Sequence, residues 1–133
     1  MALCFVTIRL LGQQYPGTEI RAVWLTTNYG LDWPHNRTSV EGQKRELIAI
    51  LDKLQYYNFN TVFFQVRSRG EVMYKSNYEP MSSLIVDNQS SSNSFDPLRF
   101  IIEESHKRGI ECHAWMVTYP LGGNKHVRSL GIK

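Results

Sequence analysis

Three stretches of this 133-residue chain gather side chains able to hold a polar ligand. Thr26 to Pro34 carries Tyr29, Asp32 and Trp33. Gln65 to Tyr78 carries Gln65, Arg67, Arg69, Glu71 and Tyr74. His113 to Gly123 carries His113, Trp115, Thr118 and Tyr119. Aromatic rings offer flat apolar faces to the CH-rich side of a sugar, while Arg, Gln and Asp supply donors and acceptors for its hydroxyls. Arg67 and Arg69 would equally suit a phosphate or carboxylate, through forked hydrogen bonds. We take Asp32, Trp33, Gln65, Arg67, Arg69, His113 and Tyr119 as the candidate ligand contacts.

Several of these residues and their neighbours have a plainer reading. Asp32 also suits a turn cap. His113 alternates with apolar neighbours and also fits a hydrogen-bonded core position. Trp24 and Trp115 lie inside apolar runs, where packing is the expected role. Arg67 directly follows an apolar run, and an arginine there is costly unless paired. Glu71, in a loop, reads as solvated. Hydrolysis of a glycosidic bond needs two carboxylic acids flanking it. Asp32, Glu71 and Glu79 lie near the expected face, but none has the setting of such a pair. There is no Cys–His set with zinc spacing, no glycine-rich phosphate loop after a strand and no Gly-x-Ser-x-Gly elbow, so no metal or cofactor is expected.

The elements that must position these side chains follow from pattern. Ile20 to Thr26 (IRAVWLT) is an apolar, β-branched run of strand length. Thr38-Ser39-Val40-Glu41 has the form of a capping box with Thr38 as the cap. Leu47, Ile48, Leu51 and Leu54 then make a one-sided helical stripe, and Asn58 suits the left-handed position that ends a helix. Thr61 to Val66 (TVFFQV) reads as a parallel strand buried on both faces. A long connection, Arg67 to Phe95, includes the low-complexity piece Gln89 to Ser94. Asp96-Pro97 opens a second helix, with Leu98, Ile101, Ile102 and Ser105 on its buried face, and Gly109 stops it. Ile110 to Val117 is a third strand, and Thr118 to Lys133 shows no clear period. Strand, helix, strand, helix, strand implies parallel pairing with right-handed crossovers, and places a ligand site beyond the carboxyl ends of the strands.

Composition narrows the class further. Apolar residues make up 42% and charged residues 20%, an ordinary globular mixture. Fifteen basic against 12 acidic residues leave a net charge of +3, too small a surplus for a dedicated nucleic-acid binder. The two cysteines, Cys4 and Cys112, cannot staple a fold, and Cys112 reads as a small buried hydrophobe. No apolar run approaches the ~20 residues that span a bilayer. Residues 1–14 begin with an apolar run that looks like the later half of a secretory signal without its basic start. An ordinary first strand is the alternative there.

Several segments together resemble the glycosyl hydrolase-like 10 family. They are Glu19 to Thr27 (EIRAVWLTT), Leu31 to Pro34 (LDWP), Gln43 to Leu54 (QKRELIAILDKL), Phe59 to Arg67 (FNTVFFQVR) and His106 to Trp115 (HKRGIECHAW). The resemblance runs over residues 15–133, and the Met116 to Gly122 stretch is similar to Bacteroidetes-type versions. It implies an α/β fold forming part of a (β/α)8 TIM barrel, here about three parallel strands and two helices. It also implies a glycan substrate, an exported, periplasmic or cell-envelope location, and a substrate-binding rim formed by the candidate contacts. The acidic Asp-Gly-x-x-Phe-Asp type motif of the family's later strands is absent, so its catalytic acids are expected outside this chain, which would be a truncated domain. Met81 stands where relatives often have tryptophan. Three parallel strands leave open edges, and open edges invite self-association into a homo-oligomer. The alternative reading is a non-catalytic carbohydrate-binding or self-associating module.

Overall fold

The computed structural model describes residues 19–86 and 95–131. The apolar start of the chain and the low-complexity segment at 89–94 therefore lie outside the described residues. Among the described residues, four strands and three α-helices follow one another as β1 (Ala22–Leu25), α1 (Val40–Tyr56), β2 (Thr61–Ser68), β3 (Glu71–Val72), α2 (Pro97–His106), β4 (Glu111–Met116) and α3 (Asn124–Ser129), with a single 3-10 turn at Asn28–Gly30 between β1 and α1. The result is a mixed α/β sheet with β2 at its centre.

Local sequence explains where the helices begin and end. Ser39, one residue later than the expected Thr38, caps α1 by accepting from the Gly42 amide. Asn36 causes the shift: its Oδ1 accepts from the amides of both Thr38 and Ser39 and from the Thr38 hydroxyl, so Thr38 belongs to the turn. Asn58 ends the helix at φ 57°, as its type predicts. Asp96 caps α2 by accepting from the Arg99 amide, Pro97 fills the first turn, and Gly109 turns the chain out at φ 68°.

The three long strands pair in parallel, as the alternation predicts. Val23 lies beside Val62 and Leu25 beside Phe64, while Val62 and Phe64 lie beside Cys112 and Ala114 on the other side. Alternation along the strands divides the sheet into two unlike faces. Val62, Phe64 and Val66 point into the core with Leu25, and Leu47, Leu51, Leu54 and Ile101 of α1 and α2 cover them. Both crossover helices thus pack on one face, and each fully buried leucine of α1 contributes ~1.5–3 kcal/mol. The opposite face carries Trp24, Phe63, His113 and Trp115. Trp24 is 58% exposed and stacks on Phe63 at 4.6 Å between ring centroids, with Trp115 edge-on to it at 5.0 Å. This corrects the expectation that Trp24 packs in the core, while β2 itself has buried residues on both faces, Thr61 and Gln65 on one and Val62, Phe64 and Val66 on the other.

Two elements are additional to the expected three strands and two helices. The connection after β2 turns at once into a hairpin: β3 pairs antiparallel with the end of β2, Arg67 opposite Val72 and Ser68 opposite Glu71. The two turn residues, Arg69 and Gly70, both have positive φ, 56° and 76°, the pattern of a two-residue hairpin whose twist matches its strands. The second addition, α3, docks on this turn. Gly70 is favoured by its φ of 76°, and a Cβ there would also press on the side-chain ends of Leu130 at 2.9 Å and Leu121 at 3.2 Å.

Candidate functional site

The carboxyl ends of β1, β2 and β4 and the loops leaving them bring most of the candidate residues to one end of the sheet. What each side chain does there differs from residue to residue.

Gln65 is 3% exposed, and its side-chain oxygen organises the first loop. Oε1 accepts from the Thr27 amide at 2.8 Å, the Asn28 amide at 2.8 Å and the Thr26 hydroxyl at 2.7 Å. The Thr27 hydroxyl donates back to the Gln65 carbonyl at 3.0 Å. Asp32 closes the same loop by accepting from the Thr26 amide at 2.8 Å. Both residues thus hold the backbone of the turn in which Tyr29 sits at φ 55°.

Trp33 does not reach the rim. It is fully buried, its indole N–H donates to the Gln43 carbonyl at 2.9 Å, and its ring packs against Phe64 and Phe95. The bulkiest candidate of the first loop therefore anchors that loop to the core, which corrects the expectation of ligand stacking. Gln43, which the apolar stripe of α1 does not single out, is the matching polar hub. Its amide donates to the carbonyls of Asn36 and Leu84 and accepts from the Val86 amide, so one buried side chain ties two loops to the helix.

Arg67 is paired, as its cost requires. Its Nε and Nη2 fork onto both oxygens of Glu79, and its Nη1 donates to the carbonyls of Val117 and Thr118. One guanidinium thereby ties the end of β2 to the long loop and to the end of β4. The Arg67 guanidinium holds the Glu79 carboxyl below the usual carboxylate range. In return, the hydrogen bond to Glu79 raises the affinity of Arg67 for its proton. Glu79 is held ionised, an unsuitable state for a general acid.

Arg69 faces the rim. Its guanidinium carbon lies 4.1 Å from the centre of the Tyr29 ring, and its Nη2 is 3.5 Å from Glu71 Oε2. Stacking and ion pairing together hold the guanidinium in place, while Tyr29 as a residue is 62% exposed. Glu71 is 7% exposed, not the solvated loop residue its sequence position implies. Its Oε1 accepts from the Ser83 amide at 3.1 Å. Tyr119 follows β4 and is 91% exposed. His113 lies apart from these residues, on the open sheet face in mid-strand, with Phe63 at 5.2 Å and Glu111 at 3.3 Å.

The rim therefore consists of Tyr29, Arg69 and Tyr119, held by a scaffold of Gln65, Asp32, Arg67 and Glu79. Two exposed rings with a fixed guanidinium suit a polyhydroxylated ligand, which would stack on the rings and accept hydrogen bonds from the arginine. Among the described residues, no group of three or more His, Cys, Asp or Glu side chains could hold a metal ion. No described helix is long and apolar enough to cross a membrane.

Residues 19–127 match the model of a family described as Glycosyl hydrolase-like 10. The chain belongs to this family. Among curated relatives, it is 35% identical over 120 residues to the glycosyl hydrolase YngK of Bacillus subtilis strain 168, an alignment covering 90% of this chain and 24% of that protein. It is 37% identical over 119 residues to the glycosyl hydrolase DigH of Escherichia coli K12, covering 84% of this chain and 27% of DigH. The chain thus spans about a quarter of the length of these relatives. Membership of the glycosyl hydrolase-like 10 family points to a glycan-related function, and the matched residues include Tyr29, Arg69 and Tyr119 of the rim.

Proposed function

We propose that this chain forms the opening strand–helix units of a (β/α)8 barrel in a glycan-acting glycoside hydrolase-like protein, and supplies part of its substrate-binding rim. The glycan is of the cell-envelope, peptidoglycan type, and the protein works after export to the envelope. The family match over residues 19–127 carries this reading. The exposed rings of Tyr29 and Tyr119 at the carboxyl ends of the strands support it, because that end is where parallel α/β folds place their ligands. The acid–base pair of hydrolysis comes from outside the described residues in this proposal. Asp32, Glu71 and Glu79 are each engaged by backbone amides or arginine.

Calorimetric titration with triacetylchitotriose and with peptide-free peptidoglycan strands tests the proposal. Binding without turnover is expected, with at least tenfold weaker binding in Tyr119→Ala. Hydrolysis that disappears on changing one carboxylate of this chain refutes the placement of the catalytic acids. Absence of binding to either glycan refutes the rim. A second reading, a self-associating module, is favoured by the open aromatic face of Trp24, Phe63 and Trp115. A concentration-dependent dimer on a sizing column that Trp24→Ser converts to monomer would support it.

A further inference from the structure

Beside the rim lies a cleft of about 550 Å³ between the β2–β3 hairpin, the segment around residues 80–83 and α3. Glu71, Ser83, His126 and Ser129 give it polar walls, and Met81 and Leu130 give it apolar ones. No candidate contact from the sequence lines it.

The hydrogen bonds already made on its walls determine what the cleft offers a ligand. His126 Nε2 lies 2.9 Å from the Arg69 carbonyl oxygen. A carbonyl only accepts, so Nε2 carries the proton, and in the neutral ring Nδ1 is then an acceptor. Ser129 has committed its hydroxyl proton to the His126 carbonyl at 2.6 Å, which leaves its oxygen as an acceptor. Among the described residues, each Glu71 oxygen has one partner, the Ser83 amide for Oε1 and Arg69 Nη2 for Oε2. A carboxylate has about four acceptor positions, so each oxygen keeps one more. The Arg69 guanidinium beside Glu71 is held by that carboxylate and by the Tyr29 ring.

The cleft is thus rich in acceptors and apolar on part of its wall. An anion is repelled by Glu71, and a flat hydrophobe would strand the acceptors. A neutral ring with several hydroxyl donors and one CH-rich face satisfies both wall types. We infer that the Glu71–His126 cleft is a sugar subsite, taking one neutral hydroxyl-rich residue of the glycan adjacent to the unit stacked on the rim. This rests on the glycan-binding reading above and adds a specific place to it. The same hydrogen bond that sets the His126 tautomer also docks α3 on the hairpin turn, so the subsite wall and the helix position are fixed together.

The test uses the full chain with triacetylchitotriose. Ser129→Trp, at an exposed position on the last turn of α3, fills the cleft without touching the rim rings. Glu71→Gln keeps the oxygen that accepts from Ser83 but removes the charge. At least tenfold weaker binding in Ser129→Trp, with an unchanged melting curve, is expected. Movement of the His126 ring nitrogen resonances of the unsubstituted chain on adding the sugar is expected as well. Unsubstituted chain that binds the sugar, with Ser129→Trp binding equally well and the His126 resonances unmoved, overturns the subsite and leaves the rim reading standing. No binding by the unsubstituted chain overturns both. Should Ser129→Trp melt early, Glu71→Gln and the His126 resonances decide, and unchanged affinity with unmoved resonances again overturns the subsite.

Discussion

Breaking the Arg67–Glu79 fork should unfasten the site before it unfolds the sheet. The side chains are 12% and 29% exposed. Exposed ion pairs contribute ~0–1 kcal/mol, whereas truncating one partner of a buried pair costs ~3–5 kcal/mol. The partial exposure of Glu79 lets water take over some of its bonds, so Glu79→Met should cost about 2 kcal/mol. Arg67→Met should cost about 3 kcal/mol, because the carbonyls of Val117 and Thr118 lose their donor as well. The double variant should cost less than the sum, with a coupling of about 1–2 kcal/mol in a urea-unfolding cycle. The pH dependence has a defined sign. Glu79 is held below its ordinary value in the folded chain. Its contribution is therefore present above the unfolded carboxylate value of about 4.3, and is lost as pH falls through the depressed folded value. The unsubstituted chain should lose stability in that acid window relative to Glu79→Gln. A coupling under about 0.5 kcal/mol, or parallel pH profiles for the two proteins, refutes the argument that this fork fastens the ends of β2 and β4 to the long loop.

Gln43→Glu should destabilise the chain more at neutral than at acid pH, by melting curves across pH 3–8. It places a carboxylate oxygen opposite the Asn36 and Leu84 carbonyls, so the introduced group's folded pKa rises above about 4.3 and stability falls as pH climbs past that value. Cys112 lies half-buried beside the core, and burial pushes its thiol up to about 11. In a Cys4→Ser background it should react with a disulfide reagent at pH 8 ~100-fold more slowly than the same thiol in urea. Equal rates would refute its burial.

Signals that act within a few residues are legible in the sequence itself. Asp96-Pro97, Gly109 and Asn58 mark helix boundaries because capping and left-handed φ are decided locally. The apolar runs mark the three parallel strands, and parallel order places the candidate loops at one end of the sheet. Which side chains face a ligand is another matter. Trp24 lies in an apolar run and Trp33 in a polar loop, yet Trp33 is sealed in the core and Trp24 lies on the open face. Trp24 is exposed because both crossover helices cover the other side of the sheet, and Trp33 is buried because its loop folds back to α1 and packs its ring on Phe64 and Phe95.

The partners are equally hidden. Arg67 needs a counter-charge, but only folding brings Glu79, 12 residues on, against it. The Arg69–Gly70 turn reverses the chain and so buries Glu71 and makes β3, while a six-residue α3 is too short to show a period. By itself, then, the sequence determined three strands and the two long helices, the parallel order of those strands and the family, because these rest on short-range pattern and on residue identity. Tertiary structure alone decided which polar groups are spent on scaffold and which remain for a ligand, because a hydrogen-bonding group is free only once every neighbour is in place.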